Sequence, residues 1–64
     1  MKNSELHRII RQHGWIALQD KGKGSHIIYA KDGKLYPVPY HGSREINNGF
    51  AKKILKELGI VWKQ

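Results

Sequence analysis

Asp32-Gly33 stands between two β-prone runs, Ser25 to Ala30 and Leu35 to Tyr40, and no other feature limits the fold of this chain as tightly. Asp-Gly in that setting favours a two-residue type I′ turn, whose backbone twist matches that of the strands it joins. With these two residues as the loop, Lys31 faces Lys34 in a hydrogen-bonded pair. Non-bonded pairs then follow at Ala30/Leu35, Ile28/Pro37 and His26/Pro39. Pro37 and Pro39 therefore need no partner on the second strand. Their missing donors point outward, which makes the third strand an edge that proline also protects from further pairing.

The same register sorts the side chains. His26, Ile28, Pro37 and Pro39 fall on one side of the hairpin, and Ile27, Tyr29, Tyr36, Val38 and Tyr40 on the other. The second set is larger and more aromatic, so it is the side expected to be covered. That leaves His26 on the open face beside Ile28, an apolar residue that a free monomer would expose and that hints at a docking partner.

The flanks supply the cover. Leu6, Ile9 and Ile10 recur at helical spacing within residues 4 to 13, with Glu5, Arg8, Arg11 and Gln12 toward water, Asn3 or Ser4 as cap, and Gly14 as the stop. His7 and His13 are expected at the solvated edge of that helix. Trp15 to Leu18 reads as a short first strand, and Gln19 to Gly24, with its glycines and lysines, as a loop. A second helix is expected to begin between Asn47 and Phe50 and to end at Leu58-Gly59. Phe50, Ile54, Leu55 and Leu58 form its stripe, and Lys52, Lys53 and Lys56 its wet side. Ile60-Val61-Trp62 is too apolar to hang free. The order is α-β-β-β-α, an α+β fold with a three-stranded antiparallel meander and both helices on one face.

Sixty-four residues allow one domain, 1–64, with a small core and no room for a deep cofactor cavity. The absence of cysteine excludes disulfides and thiolate metal sites. No apolar run approaches a membrane span and no signal-peptide pattern is visible, so a cytoplasmic protein that does not associate with membranes is expected. Twelve Lys and Arg against five Asp and Glu give a net charge of +7, spread along the chain. A field of that sign favours polyanions, and RNA or DNA foremost among them.

His7, His13, His26 and His41 show neither metal-ligand spacing nor a nearby carboxylate cluster, so no metal and no small-molecule cofactor are expected. Ser25 and His26 are neighbours on a strand and point to opposite faces, which excludes a dyad between them. RNA cleavage demands less of a protein. The substrate supplies its own 2′-hydroxyl, so one base that titrates near neutrality and a few cations suffice. His26, with Lys21, Lys23, Arg44 and the lysines of the second helix, meets that minimum. From these residues alone, a strand histidine that merely ends a sheet stays the simpler reading.

A resemblance shifts that balance. Gly24-Ser25-His26-Ile27-Ile28-Tyr29, Asp32-Gly33, Val38-Pro39-Tyr40-His41, Glu45-Ile46-Asn47-Asn48-Gly49 and Ile54-Leu55-Lys56-Glu57-Leu58-Gly59-Ile60, in this order and spacing after Gly14-Trp15, together resemble the HicA (YcfA-like) toxins. The resemblance implies a double-stranded-RNA-binding-domain-like fold and a metal-independent endoribonuclease that cleaves mRNA. It further implies the toxin of a type II toxin–antitoxin pair, neutralised by a HicB-like antitoxin that covers the active site. It puts catalysis at His26, the histidine of the Gly-Ser-His step. RNA contacts are then expected from Lys21, Lys23, Ser25, Arg44, Lys52, Lys53 and Lys56, and antitoxin contacts from His26, Ile28, Pro37 and Pro39. Phe50 stands where the family usually has a helix-capping Thr, so Asn47 or Asn48 is expected to cap instead. His41 is expected to be a turn residue at the end of the third strand.

Two other classes compete. A non-catalytic RNA-binding module of the double-stranded-RNA-binding type would use the basic second helix, although the Gly-Pro-x-His loop of those domains is absent. An adaptor for acidic proteins would use the open face for docking alone.

Overall fold

The computed structural model describes residues 1–18 and 26–62. The loop expected at Gln19 to Gly24, and with it Lys21, Lys23 and Ser25, lies outside the described residues. The elements follow the order α1 (Asn3–Gln12), β1 (Ile16–Leu18), β2 (His26–Lys31), β3 (Lys34–Pro39) and α2 (Asn48–Glu57). The strands pair antiparallel in the order β1-β2-β3, so the fold is the α+β, double-stranded-RNA-binding-domain-like arrangement that the resemblance implies. No helix among the described residues is long and apolar enough to cross a membrane.

The hairpin has the register that its turn dictates. Asp32 and Gly33 take φ of 50° and 81°, both in the left-handed region that a type I′ turn requires. Lys31 pairs with Lys34, Ile28 with Pro37 and His26 with Pro39. On β1, Ala17 pairs with Tyr29 and Leu18 with Ile28, which adds Ala17 to the inner face and Ile16 and Leu18 to the outer one.

The core lies between that inner face and the helices. Tyr29 and Val38 from the sheet meet Leu6 and Ile10 of α1 and Ala51, Ile54 and Leu55 of α2, with Trp15, Leu58 and Ile60 closing the sides. Ile60 and Trp62 pack on this cluster as their composition demands, whereas Val61 between them is exposed. Gly59 (φ 75°) ends α2: its N–H bonds the Lys56 carbonyl, and the Ile60 N–H reaches back to Leu55 at 2.8 Å. This six-to-one closure satisfies otherwise orphaned carbonyls and folds Ile60 into the core.

Four expectations are corrected. Phe50, assigned to the stripe of the second helix, is 46% exposed, and Ala51 takes the inward position in the first turn. His7 is buried and not solvated. Asn3 does not cap α1 from outside but is a buried helical residue. Lys2 holds the cap position without a side-chain bond, and the first helical N–H groups are met by loop carbonyls: Asn3 bonds Arg44 and Ser4 bonds Gly42, each at 2.8 Å. Tyr40, assigned to the covered face, lies just beyond β3 and is 46% exposed. At α2 the cap is Asn47, whose Oδ1 accepts the Phe50 N–H at 3.1 Å. Asn47→Ala is expected to cost about 1 kcal/mol of folding stability, read as a lower urea midpoint with unchanged slope.

Candidate active site

His26 opens β2 and is exposed on the outer sheet face, opposite Pro39 in a non-hydrogen-bonded pair. That pairing brings the Cα atoms to about 4.5 Å, so the imidazole stands next to a rigid pyrrolidine and not a mobile side chain. The helices cover only the other face. Ile16 and Leu35 are 66% and 64% exposed, Pro37 is exposed, and Leu18, Ile28, Ala30 and Pro39 are half-buried, so His26 ends an apolar, unlayered surface. The sequence reading placed Ile28, Pro37 and Pro39 there. It missed Ile16, Leu18 and Leu35, whose face follows from the β1 register and from extending the β3 alternation by one pair.

A buried polar network holds the far end of this pair. A non-bonded position turns both the amide and the carbonyl of Pro39 away from β2. α1 uses that carbonyl: Asn3 Nδ2 donates to it at 3.0 Å and His7 Nε2 at 2.8 Å. A carbonyl only accepts, so the His7 proton is on Nε2, and Nδ1 accepts the Tyr29 hydroxyl at 2.6 Å. Burial pushes the Tyr29 phenol up, which keeps that hydroxyl protonated and donating. Asn3 Oδ1 completes the set by accepting the His41 N–H at 2.7 Å. One amide side chain therefore ties down the residue facing His26 and the residue two positions on. His41 is exposed, and its carbonyl accepts the Arg44 N–H at 3.3 Å, a turn placement. The signal for Asn3 and His7 was present in the sequence. Asn3, Leu6, His7 and Ile10 follow the i, i+3, i+4, i+7 rule, but two of the four are polar and an apolar-only stripe passes over them.

The structure brings some expected residues together and separates others. Arg44 lies on the segment bonded to the start of α1, near the Pro39 end of the hairpin. Lys52, Lys53 and Lys56 are exposed on the side of α2 opposite Ala51, Ile54 and Leu55, so the helix layer separates them from the face that carries His26. Among the described residues no group of three or more His, Cys, Asp or Glu could hold a metal ion.

Two comparisons with known proteins find a match over most of the chain. A family model described as HicA toxin of bacterial toxin-antitoxin matches residues 4–60. A protein of Pseudomonas fluorescens (strain Pf0-1) named probable mRNA interferase HicA is 40% identical over 60 residues, covering 94% of this chain and 97% of that one. No solved structure matches significantly.

The network carries its own pH dependence. Burial, reinforced by the nearby Arg11 and His41 charges and opposed by the bond to Pro39, holds the His7 imidazole below its ordinary value. Its folded pKa is below its unfolded one, so its contribution to stability is complete above the unfolded value near 6.5 and is lost as pH falls below it. Urea midpoints measured from neutral to mildly acidic pH should fall for the parent. The fall should be shallower for His7→Gln, which keeps a hydrogen-bonding side chain without titrating.

Proposed function

The chain belongs to the HicA toxin family, and on that premise we propose that it is an endoribonuclease cleaving mRNA without a metal ion, with His26 as its general acid and base. The observation that carries this reading is the exposed imidazole on the uncovered face, held opposite a proline whose carbonyl is locked from behind. In the step proposed, His26 takes the proton of the 2′-hydroxyl and that oxygen attacks the adjacent phosphorus. The bond to the 5′ oxygen breaks, the proton passes to the leaving oxygen, and the products are a 2′,3′-cyclic phosphate and a 5′-hydroxyl. Charge gathers on the non-bridging oxygens, where cations stabilise it most. Arg44 and, from the segment preceding β2, Lys21, Lys23 and Ser25 are the proposed contacts there. Lys52, Lys53 and Lys56 would bind flanking RNA, given their distance from the open face. The non-catalytic reading draws on the same exposed lysines and lacks any use for His26.

A HicB-like antitoxin is the proposed partner, docking on His26, Ile28, Pro37 and Pro39. Ile16 and Leu35 widen that surface into an apolar patch that supports protein docking over solvation. The assay that tests catalysis uses a short RNA in excess EDTA. Parent protein should cleave it, His26→Ala should lose at least about a hundredfold in rate, and 2′-deoxy at the scissile nucleotide should block cleavage. Undiminished cleavage by His26→Ala would overturn the assignment. For docking, Leu35→Glu should keep RNase activity and weaken antitoxin inhibition by about tenfold or more, because it places an unpaired charge against an apolar partner.

A further inference from the structure

The wet side of α1 is more than a solvated helix face. Lys2, Ser4, Glu5, Arg8 and Arg11 line an open groove of about 330 Å³. Ser4, Arg8 and Arg11 follow one another at i, i+4 and i+7, so they form a single stripe along the helix, and Lys2 closes its end. Three cations share this groove with one carboxylate. Glu5 approaches Arg8 only at 3.9 Å, and among the described residues Lys2 and Arg11 make no ion pair, Arg11 reaching only the neutral Tyr29 hydroxyl. Like charges gathered along a concave wall repel one another and raise the local potential, a cost that an anion relieves. The helix terminus itself is not the attraction, because the Asn3 and Ser4 N–H groups already bond the Arg44 and Gly42 carbonyls.

Position decides what kind of anion fits. The stripe runs beside His7, whose imidazole bonds the Pro39 carbonyl and lies edge-on to Tyr40 at 5.3 Å between ring centroids. Two backbone bonds and the Asn3 side chain lock the start of α1 to the segment from Pro39 to Arg44. The helix that carries the groove is thereby fixed to the β3 end that faces His26, where Tyr40 is half-exposed. A chain of phosphates with stackable bases matches a row of cations on a helix bonded to a segment that carries a half-exposed aromatic ring.

We propose that this groove is a second RNA subsite, in which Arg8, Arg11 and Lys2 hold phosphates of the strand beyond the scissile position. The inference rests on the proposed RNA cleavage at His26, yet it is read by binding and not by turnover. The probe is a single-stranded, fully 2′-O-methylated RNA of about fifteen nucleotides, which lacks the hydroxyl that cleavage requires. Removing two phosphate contacts with Arg8→Ala/Arg11→Ala should weaken binding about tenfold and make the slope of log K against log salt shallower by about 1.4. Arg8→Lys/Arg11→Lys should retain most of the affinity and the slope, and Glu5→Gln should tighten binding. With cleavable substrates, the alanine pair should raise KM for the long RNA and leave a dinucleoside monophosphate unaffected.

Unchanged affinity and slope at an unchanged melting temperature would overturn the subsite. So would an equal loss on the dinucleoside substrate, since the groove would then belong to the reaction centre. Loss of antitoxin affinity alone, with RNA binding intact, would assign the groove to an acidic protein segment instead and also overturn it. Should His26→Ala still cleave RNA, the catalytic assignment fails while the binding comparison still decides the groove.

Discussion

The Pro39 carbonyl is the point on which this fold turns. The hairpin register places Pro39 where its backbone faces away from β2, so the absent N–H costs nothing and the carbonyl projects from the sheet edge. A projecting, partly buried acceptor must be satisfied. His7 and Asn3 satisfy it, and in doing so they bring α1 against β3 at one defined height and direction. The helix stripe, the edge strand and the turn after it are therefore coupled through one oxygen atom.

That coupling explains how so small a domain can hold an open sheet face rigid. With little apolar area to bury, the helix layer covers one side of the sheet only, and the other side is left to solvent or to a partner. His26 stands at the end of that uncovered side. Its neighbour across the ladder is immobilised through the protein, from the Pro39 carbonyl to His7 and on to the Tyr29 hydroxyl in the core. Stability and site geometry thus share the same bonds. A pH change that protonates His7 acts on both.

The cations fall on two separate surfaces of the molecule. The α2 lysines extend from the side of the helix that faces away from the core, whereas Arg8 and Arg11 run beside the edge where the hairpin ends. Net charge alone makes these equivalent. Position distinguishes them, because α1 is bonded to the strand end opposite His26 whereas the α2 lysines stand on the far side of the helix layer.

Local chemistry determined the hairpin, and was legible without any structure: Asp32-Gly33 specifies its turn, the turn specifies its pairs, and the pairs specify which residues share a face with His26. Gly14, Asn47 and Gly59 likewise act on their own helices through bonds that span a few residues. The resemblance to HicA toxins supplied what those residues could not, since proton transfer at a strand histidine has no signature in spacing. Tertiary structure alone decided the roles of Asn3 and His7. Both sit at core positions of the α1 repeat, and whether a polar side chain there is buried depends on a partner more than twenty residues away in sequence. It also decided where the cations of α1 stand, because the bonds that tie the helix start to the segment after β3 fix which side of α1, the one lined by Lys2, Ser4, Glu5, Arg8 and Arg11, is left open.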